Sequence, residues 1–250
     1  MKKHILSIHA HPDDAEILAG GTLAHLAAAG HRITIITMTP GDCGSAEMGA
    51  EEISALRRIE AATAAGLLGA QYLCGEFRDL SIFNDDASRR RVTELIRQVA
   101  PDLILTSAPS DYHADHEATS VLVRDACFGV SCPNYRTGSA KPMEHIPHLY
   151  FMDSIEGRDR EGRAVRPEFG VNVEATFEKK KEMLAAHASQ RNWLLKQHGM
   201  DDYILTMEQW TRHRGATYGV GYGEGFTHYK VHPYPVTPLL EELLGDLVVS

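Results

Sequence analysis

The sequence predicts a Rossmann-like α/β protein: a three-layer sandwich with a mostly parallel sheet between helices and an elaborated C-terminal third. Two observations carry this. Short apolar or β-branched runs alternate through the first half with helical stretches of about 10–15 residues, a pattern that builds βαβ units with parallel strands and helices on both faces. The 250 residues, 43% hydrophobic and 24% charged, have a globular composition. A chain of this size buries roughly 70% or more of its unfolded surface, so it needs no disulfide or metal merely to fold.

His4–His9 reads as a short buried strand, and Ile17–Ala29 as a helix ended by Gly30, because glycine accepts the C′ conformation. Arg32–Thr37 is β-branched and hence a strand. Ala50–Ala65 is a helix closed by Gly66, Ala70–Cys74 a third strand, and Ser88–Val99 a helix stopped by Pro101. Asp102–Thr106 is a fourth buried strand, followed by a polar loop and a helix over Ala114–Phe128. Beyond Ser131 the pattern weakens. Asn134–His148 reads as an irregular loop, His148–Met152 and Val171–Val173 as two more strands, and Ala175–Gln197 as one helix ended by Gly199. Tyr203–Arg214 is a further helix, and Tyr218–Gly225 is glycine-rich enough to read as a loop at a site. With no repeat and no separating linker, a single domain over residues 1–250 is expected.

The 25 Lys and Arg against 34 Asp and Glu leave a net charge of −9, which argues against nucleic-acid and membrane-surface partners, both of which select a cationic face. Cys43, Cys74, Cys127 and Cys132 form no C-x-x-C pair and read as reduced, mostly buried thiols. No apolar run matches a signal peptide or the roughly 20 residues of a membrane span, so a cytoplasmic location is expected.

Fourteen histidines raise the question of whether they cluster. Two polar groups follow predicted strands directly: His9, His11, Asp13, Asp14 and Glu16 after the first, and Asp111, His113, Asp115, His116 and Glu117 after the fourth. Ligands of open α/β sheets bind beyond the carboxyl ends of the strands where strand order reverses, and the order 3-2-1-4 sets these two ends side by side. Imidazole and carboxylate suit Zn²⁺, and a catalytic zinc keeps three protein ligands and one open position. His11 and Asp14 can converge on one ion, while His113 and His116 share one face of a helix start. The remaining groups suit proton transfer. A plainer reading stays open: Asp13 or Asp14 caps the helix that follows, and Asp115 caps the Ala114–Phe128 helix.

His11-Pro12-Asp13-Asp14-Ala15-Glu16 resembles the H-P-D-D-x-E signature of the PIG-L/LmbE-like zinc-dependent N-acetylglucosaminyl deacetylases. The likeness extends to Arg57-Arg58-Ile59-Glu60, to the H-x-D-H of His113 to His116, and to His187-Ala188-Ser189-Gln190. Ala114 stands where that family usually has proline, and Tyr112 directly precedes His113. The resemblance implies one Zn²⁺, or another divalent metal, held by His11, Asp14 and His116. It implies Asp13 as general base, His113 as oxyanion stabiliser or acid, Asp115 as the residue that orients His113, and Arg57 as a substrate contact. It also implies a small amino-sugar conjugate as substrate and a homo-oligomer, trimer or hexamer. In the mechanism that follows, His113 acts as a protonated donor to the oxyanion.

Other features have plainer readings beside the functional ones. Arg57 suits a surface helix position paired with Glu60 or Glu51. Gly20-Gly21 is no dinucleotide fingerprint and suits close helix–sheet packing or a turn. His9 reads as a buried strand residue rather than a ligand, and Lys179-Lys180-Lys181 as a solvated helix face. His187 suits packing as well as a site, Glu224 a contact at the rim, and Tyr222 and Phe226 one wall of the pocket. Three alternatives to the deacetylase stand: a hydratase or other metal-water hydrolase on the same scaffold, a non-haem Fe(II) oxygenase with its facial triad, and a binding module with a closed four-ligand metal. The βαβ pattern argues against the second, and charged groups beside the ligands argue against the third.

Overall fold

Side chains on a strand alternate between faces, so a strand with both faces covered must be apolar throughout. The first strand, β1 (His4–His9), is buried at every position, with Ile5 packed into one apolar cluster and Leu6 and Ile8 into another. The same division recurs along β4 (Leu103–Thr106), where Leu103 and Leu105 face one side and Ile104 the other. The computed structural model describes residues 1–198 and 203–250. Between and after these strands come α1 (Asp14–Ala28), β2 (Arg32–Thr37), α2 (Ala50–Gly66), β3 (Gln71–Cys74), α3 (Asp86–Val99) and α4 (Ala114–Gly129). The C-terminal part adds β5 (His148–Met152), β6 (Phe169–Asn172), α5 (Phe177–Ala185), α6 (Ala188–His198), α7 (Tyr203–Thr217), β7 (Gly223–His228), α8 (Leu239–Leu244) and β8 (Val248–Val249).

All strands join one sheet in the order β3-β2-β1-β4-β5-β7-β6-β8. The first five are mutually parallel and the last three antiparallel, so the expected 3-2-1-4 order holds. Helices α1, α2, α5 and α8 contribute to one apolar cluster, and α3 and α4 to the other, which gives the expected three layers. The glycines of α1 allow this helix to approach closely: a Cβ on Gly21 would lie 2.6 Å from Val173 Cβ. Among the described residues no helix is long and apolar enough to cross a membrane.

Several expectations for the C-terminal third are corrected. The stretch from Ala175 to Gln197 is two helices, α5 and α6, divided where buried His187 turns inward to face Glu16; its expected terminator, Gly199, lies outside the described residues. The glycine-rich segment enters a strand at Gly223. Glycine is needed there because a Cβ on Gly223 would meet Gly215 Cα of α7 at 2.8 Å. Lys180 is not on a solvated face: it is 1% exposed and paired at 2.6 Å with Glu224, which also accepts the amides of Gly21 and Thr22. Glu224 therefore locks α1 and α5 to β7 and contacts no rim. Phe226 lies in the core, and Tyr222 stacks on Phe177, so neither walls the pocket. Of the four free cysteines only Cys127 is buried, and Cys43 is exposed.

Candidate metal centre and active site

The loop from His11 to Asp13 leaves the end of β1, and α4 begins shortly after β4, the neighbouring strand. Topology therefore brings the two polar clusters to one crevice. His11 Nδ1 lies 3.3 Å from His116 Nε2 and 3.8 Å from Asp14 Oδ2, and His116 Nε2 lies 3.3 Å from Asp14 Oδ1. Tetrahedral ligands on bonds of about 2.0–2.1 Å sit roughly 3.3 Å from one another, so His11, His116 and one oxygen of Asp14 lie near the spacing of a shared ion, and His113 also brings a ring nitrogen within 4.8 Å of those of His11 and His116. Each imidazole gives its second nitrogen to a carboxylate: His116 Nδ1 to Asp111 Oδ1 at 3.0 Å, and His11 Nε2 to Asp115 Oδ2 at 3.2 Å. Such partners fix the ring and its tautomer, as in metal centres generally. Burial opposes charge at His116, but Asp14 and Asp111 outweigh it and raise the imidazole to about 10. Burial likewise opposes charge at Asp14, and His116 and His11 overcome it, holding the carboxyl below its ordinary range.

Asp13 stands at the N-terminal end of α1 with a left-handed backbone, φ 102°, and its side chain makes no capping hydrogen bond. The cap reading of Asp13 is thereby set aside. Its Oδ2 instead accepts the hydroxyl of Tyr203 and lies 4.0 Å from Arg57 Nη2. Burial raises the Asp13 carboxyl, with Arg57 opposing.

Arg57 is buried and lines the pocket, but its guanidinium donates to the carbonyls of Pro12, at 3.0 Å, and Gly41. It pairs with neither Glu60 nor Glu51; Glu60 accepts the amide and hydroxyl of Ser189 instead. The expectation that Asp115 orients His113 through its side chain is corrected. The Asp115 carboxylate holds His11 and accepts the amide of Leu80, and it is His113 that caps α4, through Nδ1. Burial, with His11 and His116 adding to it, lowers the His113 imidazole, and Nδ1 accepts the Asp115 amide, both of which disfavour the expected protonated donor.

His9 is buried behind the site, bonded to Ser7 Oγ at 2.5 Å, and is not among the ligands. His187 faces Glu16 Oε1 at 3.5 Å, and its charge is favoured by Glu16 and Asp13 against the cost of burial. The site opens into a pocket of about 760 Å³ whose walls include Tyr112, Leu80, Ile155, Leu194, Tyr203 and Trp210. Asp111 and Tyr203, which the structure bonds to His116 and Asp13, were given no role from sequence. Asp111 had a signal, five positions before His116 in the same polar cluster, whereas Tyr203 had none nearby in sequence.

The family model described as PIG-L, GlcNAc-PI de-N-acetylase, matches residues 6–127, from β1 through α4, and so includes both clusters. Just under half of the chain is therefore similar to the PIG-L family. Among similar proteins, 1D-myo-inositol 2-acetamido-2-deoxy-alpha-D-glucopyranoside deacetylase of Corynebacterium diphtheriae is 31% identical over 142 residues, 44% of this chain and 47% of that protein. The chain spans about half the length of this relative and of its Salinispora arenicola counterpart. A probable N-acetyl-alpha-D-glucosaminyl L-malate deacetylase of Bacillus cereus is 28% identical over 206 residues, 78% of this chain and 87% of the relative. A 4-oxalmesaconate hydratase of Pseudomonas putida is 25% identical over 199 residues, 76% and 75% of the two chains. The fold is that of N,N'-diacetylchitobiose deacetylase from Pyrococcus horikoshii, with a TM-score of 0.78 at 24% identity over 95% of this chain and 88% of the other.

Proposed function

We propose that this chain is a zinc-dependent hydrolase that removes the acetyl group from a small N-acetylglucosaminyl conjugate. The observation that carries the reading is the spacing of His11, Asp14 and His116 around one point, with the buried carboxylate of Asp13 next in the chain. The deacetylase relatives supply the substrate class. His11, Asp14 and His116 would hold a divalent ion, which would supply the Lewis acidity that polarises an acetyl carbonyl and acidifies water.

The chain's own groups account for the proton transfers. Asp13, steadied by Tyr203, takes the proton of the attacking water and returns it to the departing amine. His113, neutral and with Nδ1 engaged, offers its Nε2–H to the developing oxyanion. Arg57 holds the Pro12 carbonyl, which keeps the loop carrying Asp13 in place. Asp115 and Asp111 keep the two ligand imidazoles aimed at a common point.

The test is incubation of protein loaded with Zn²⁺, and separately with Fe²⁺, with a panel of N-acetylglucosaminyl conjugates, while released acetate and free amine are measured. Stoichiometric acetate and amine support the reading. The hydratase relative makes a second outcome specific: hydration of an unsaturated dicarboxylate with no acetate from any conjugate would replace deacetylation with water addition on the same site.

A further inference from the structure

On the Nε2 side of His11 lies a second group of ligand-type side chains. Asp42, Cys43 and Asp79 bring one ligand atom each within 4.8 Å of one another, and so do His11, Asp79 and Asp115. Asp79 belongs to both groups. Its Oδ1 is buried without a hydrogen-bond partner, on a side chain 9% exposed, and lies 4.0 Å from His11 Nε2. A desolvated carboxylate oxygen with no donor is unusual in a folded protein and is satisfied by a bound cation or water. Among the described residues no Lys or Arg lies within ion-pair distance of Asp42, Asp79 or Asp115. Burial and these three carboxylates raise the Cys43 thiol, so negative charge gathers here without a resident counter-ion.

We propose that Asp42, Cys43 and Asp79 form a second, weaker site for a divalent cation at the rim of the catalytic pocket, suited to a thiolate-accepting ion such as Zn²⁺ or Cd²⁺. Carboxylates alone would suit Mg²⁺ or Ca²⁺; the thiol among them shifts the preference to borderline and soft ions. The thiol releases its proton as the ion binds, so occupancy rises with pH. Cys43 and Asp79 both line the pocket, which sets an ion bound there in the path of a substrate. The count of two rests on the first metal site proposed above, whereas the thiolate band reads this second site by itself.

The experiment is titration of the metal-free full chain with Co²⁺ alone, followed by equilibrium dialysis and near-ultraviolet absorbance. Two equivalents are expected, the weaker bringing a thiolate-to-cobalt charge-transfer band. Cys43→Ser and Asp42→Asn should each lose that band and the second equivalent while keeping the first. Cys43 is exposed, and neither variant removes a buried apolar group, so circular dichroism should report native folds. Absence of a thiolate-to-cobalt band in the natural protein overturns the proposal, and a single equivalent that carries the band overturns the first site instead. A second equivalent, or its band, that survives both variants unchanged also overturns the proposal.

Discussion

Nδ1 of His113 accepts the backbone N–H of Asp115 at 3.1 Å, which makes this histidine the N-cap of the helix that carries His116, a proposed metal ligand. An accepting Nδ1 requires the tautomer protonated on Nε2, so a structural bond decides which nitrogen is a donor in the pocket. The two duties are separable. His113→Ala should lose about 1 kcal/mol of stability with the cap, and most of its turnover. His113→Asn, a good cap, should recover the stability and not the turnover. Thermal unfolding and kcat measured on both variants check this. Because the ring is already neutral near pH 7, the alkaline limb of kcat/KM should persist in His113→Asn.

Asp13 makes no cap bond, so Asp13→Asn should keep its metal and its melting temperature while turnover drops on the order of 10²–10⁴-fold. Tyr203→Phe deletes one hydrogen bond to that carboxylate and should cost about tenfold in kcat, the scale of a bond to a charged partner. Metal analysis beside steady-state kinetics reads both; a tyrosine variant with full turnover would remove Tyr203 from the site.

Asp111 receives His116 Nδ1 on one oxygen and the Ile155 amide on the other, so it ties the ligand to the loop after β5. Asp111→Ala should weaken metal affinity about 10–100-fold, as loss of such outer partners generally does. Asp111→Asn, which keeps an acceptor oxygen, should fall between. Competition against a chelator of known affinity measures the difference.

His9 sits fully buried in β1, and burial brings its imidazole down to about 4. The unfolded chain takes up that proton near pH 6.5, well before the folded one does. The stability carried by neutral His9 is thus complete above pH 6.5 and lost as pH falls toward 4, because the unfolded state binds more protons over that window. The loss is on the order of 3 kcal/mol at 1.36 kcal/mol per unit. His9→Gln should flatten the decline, measured by denaturant unfolding at a series of pH values from 7 down to 4; an unaltered slope would assign the acid sensitivity elsewhere.

What could be read from sequence was what local pattern determines. His4–His9 and Arg32–Thr37 match their strands residue for residue, since an apolar β-branched run leaves few alternatives. The ligands were legible because each cluster is contiguous and follows a strand that topology sets beside the other. Lys180 was misread because a charged triplet on a helix is normally solvated; only Glu224, 44 residues on, neutralises it in the interior. Tyr203 meets Asp13 across 190 residues, a contact no local pattern encodes. The break at His187 depends on Glu16 in the same way, and Asp115 meets His113 through its backbone N–H while its carboxylate turns to His11, because adjacency in sequence does not say where a side chain turns.

The pocket draws its floor from one part of the chain and much of its wall from another. His11, Asp13, Asp14, His113 and His116 all fall within the matched family segment, whereas Ile155, Arg158, Leu194 and Trp210 come after it. The groups proposed to react and much of the wall therefore lie on separate stretches of polypeptide, although Arg57, Leu80 and Tyr112 line the pocket from the first, and the second could be exchanged, by recombination or by design, while the first is left intact. Tyr203 limits that freedom. It faces the pocket and also donates to Asp13, the proposed base, so any graft of α7 should carry a tyrosine at its first turn to keep that contact.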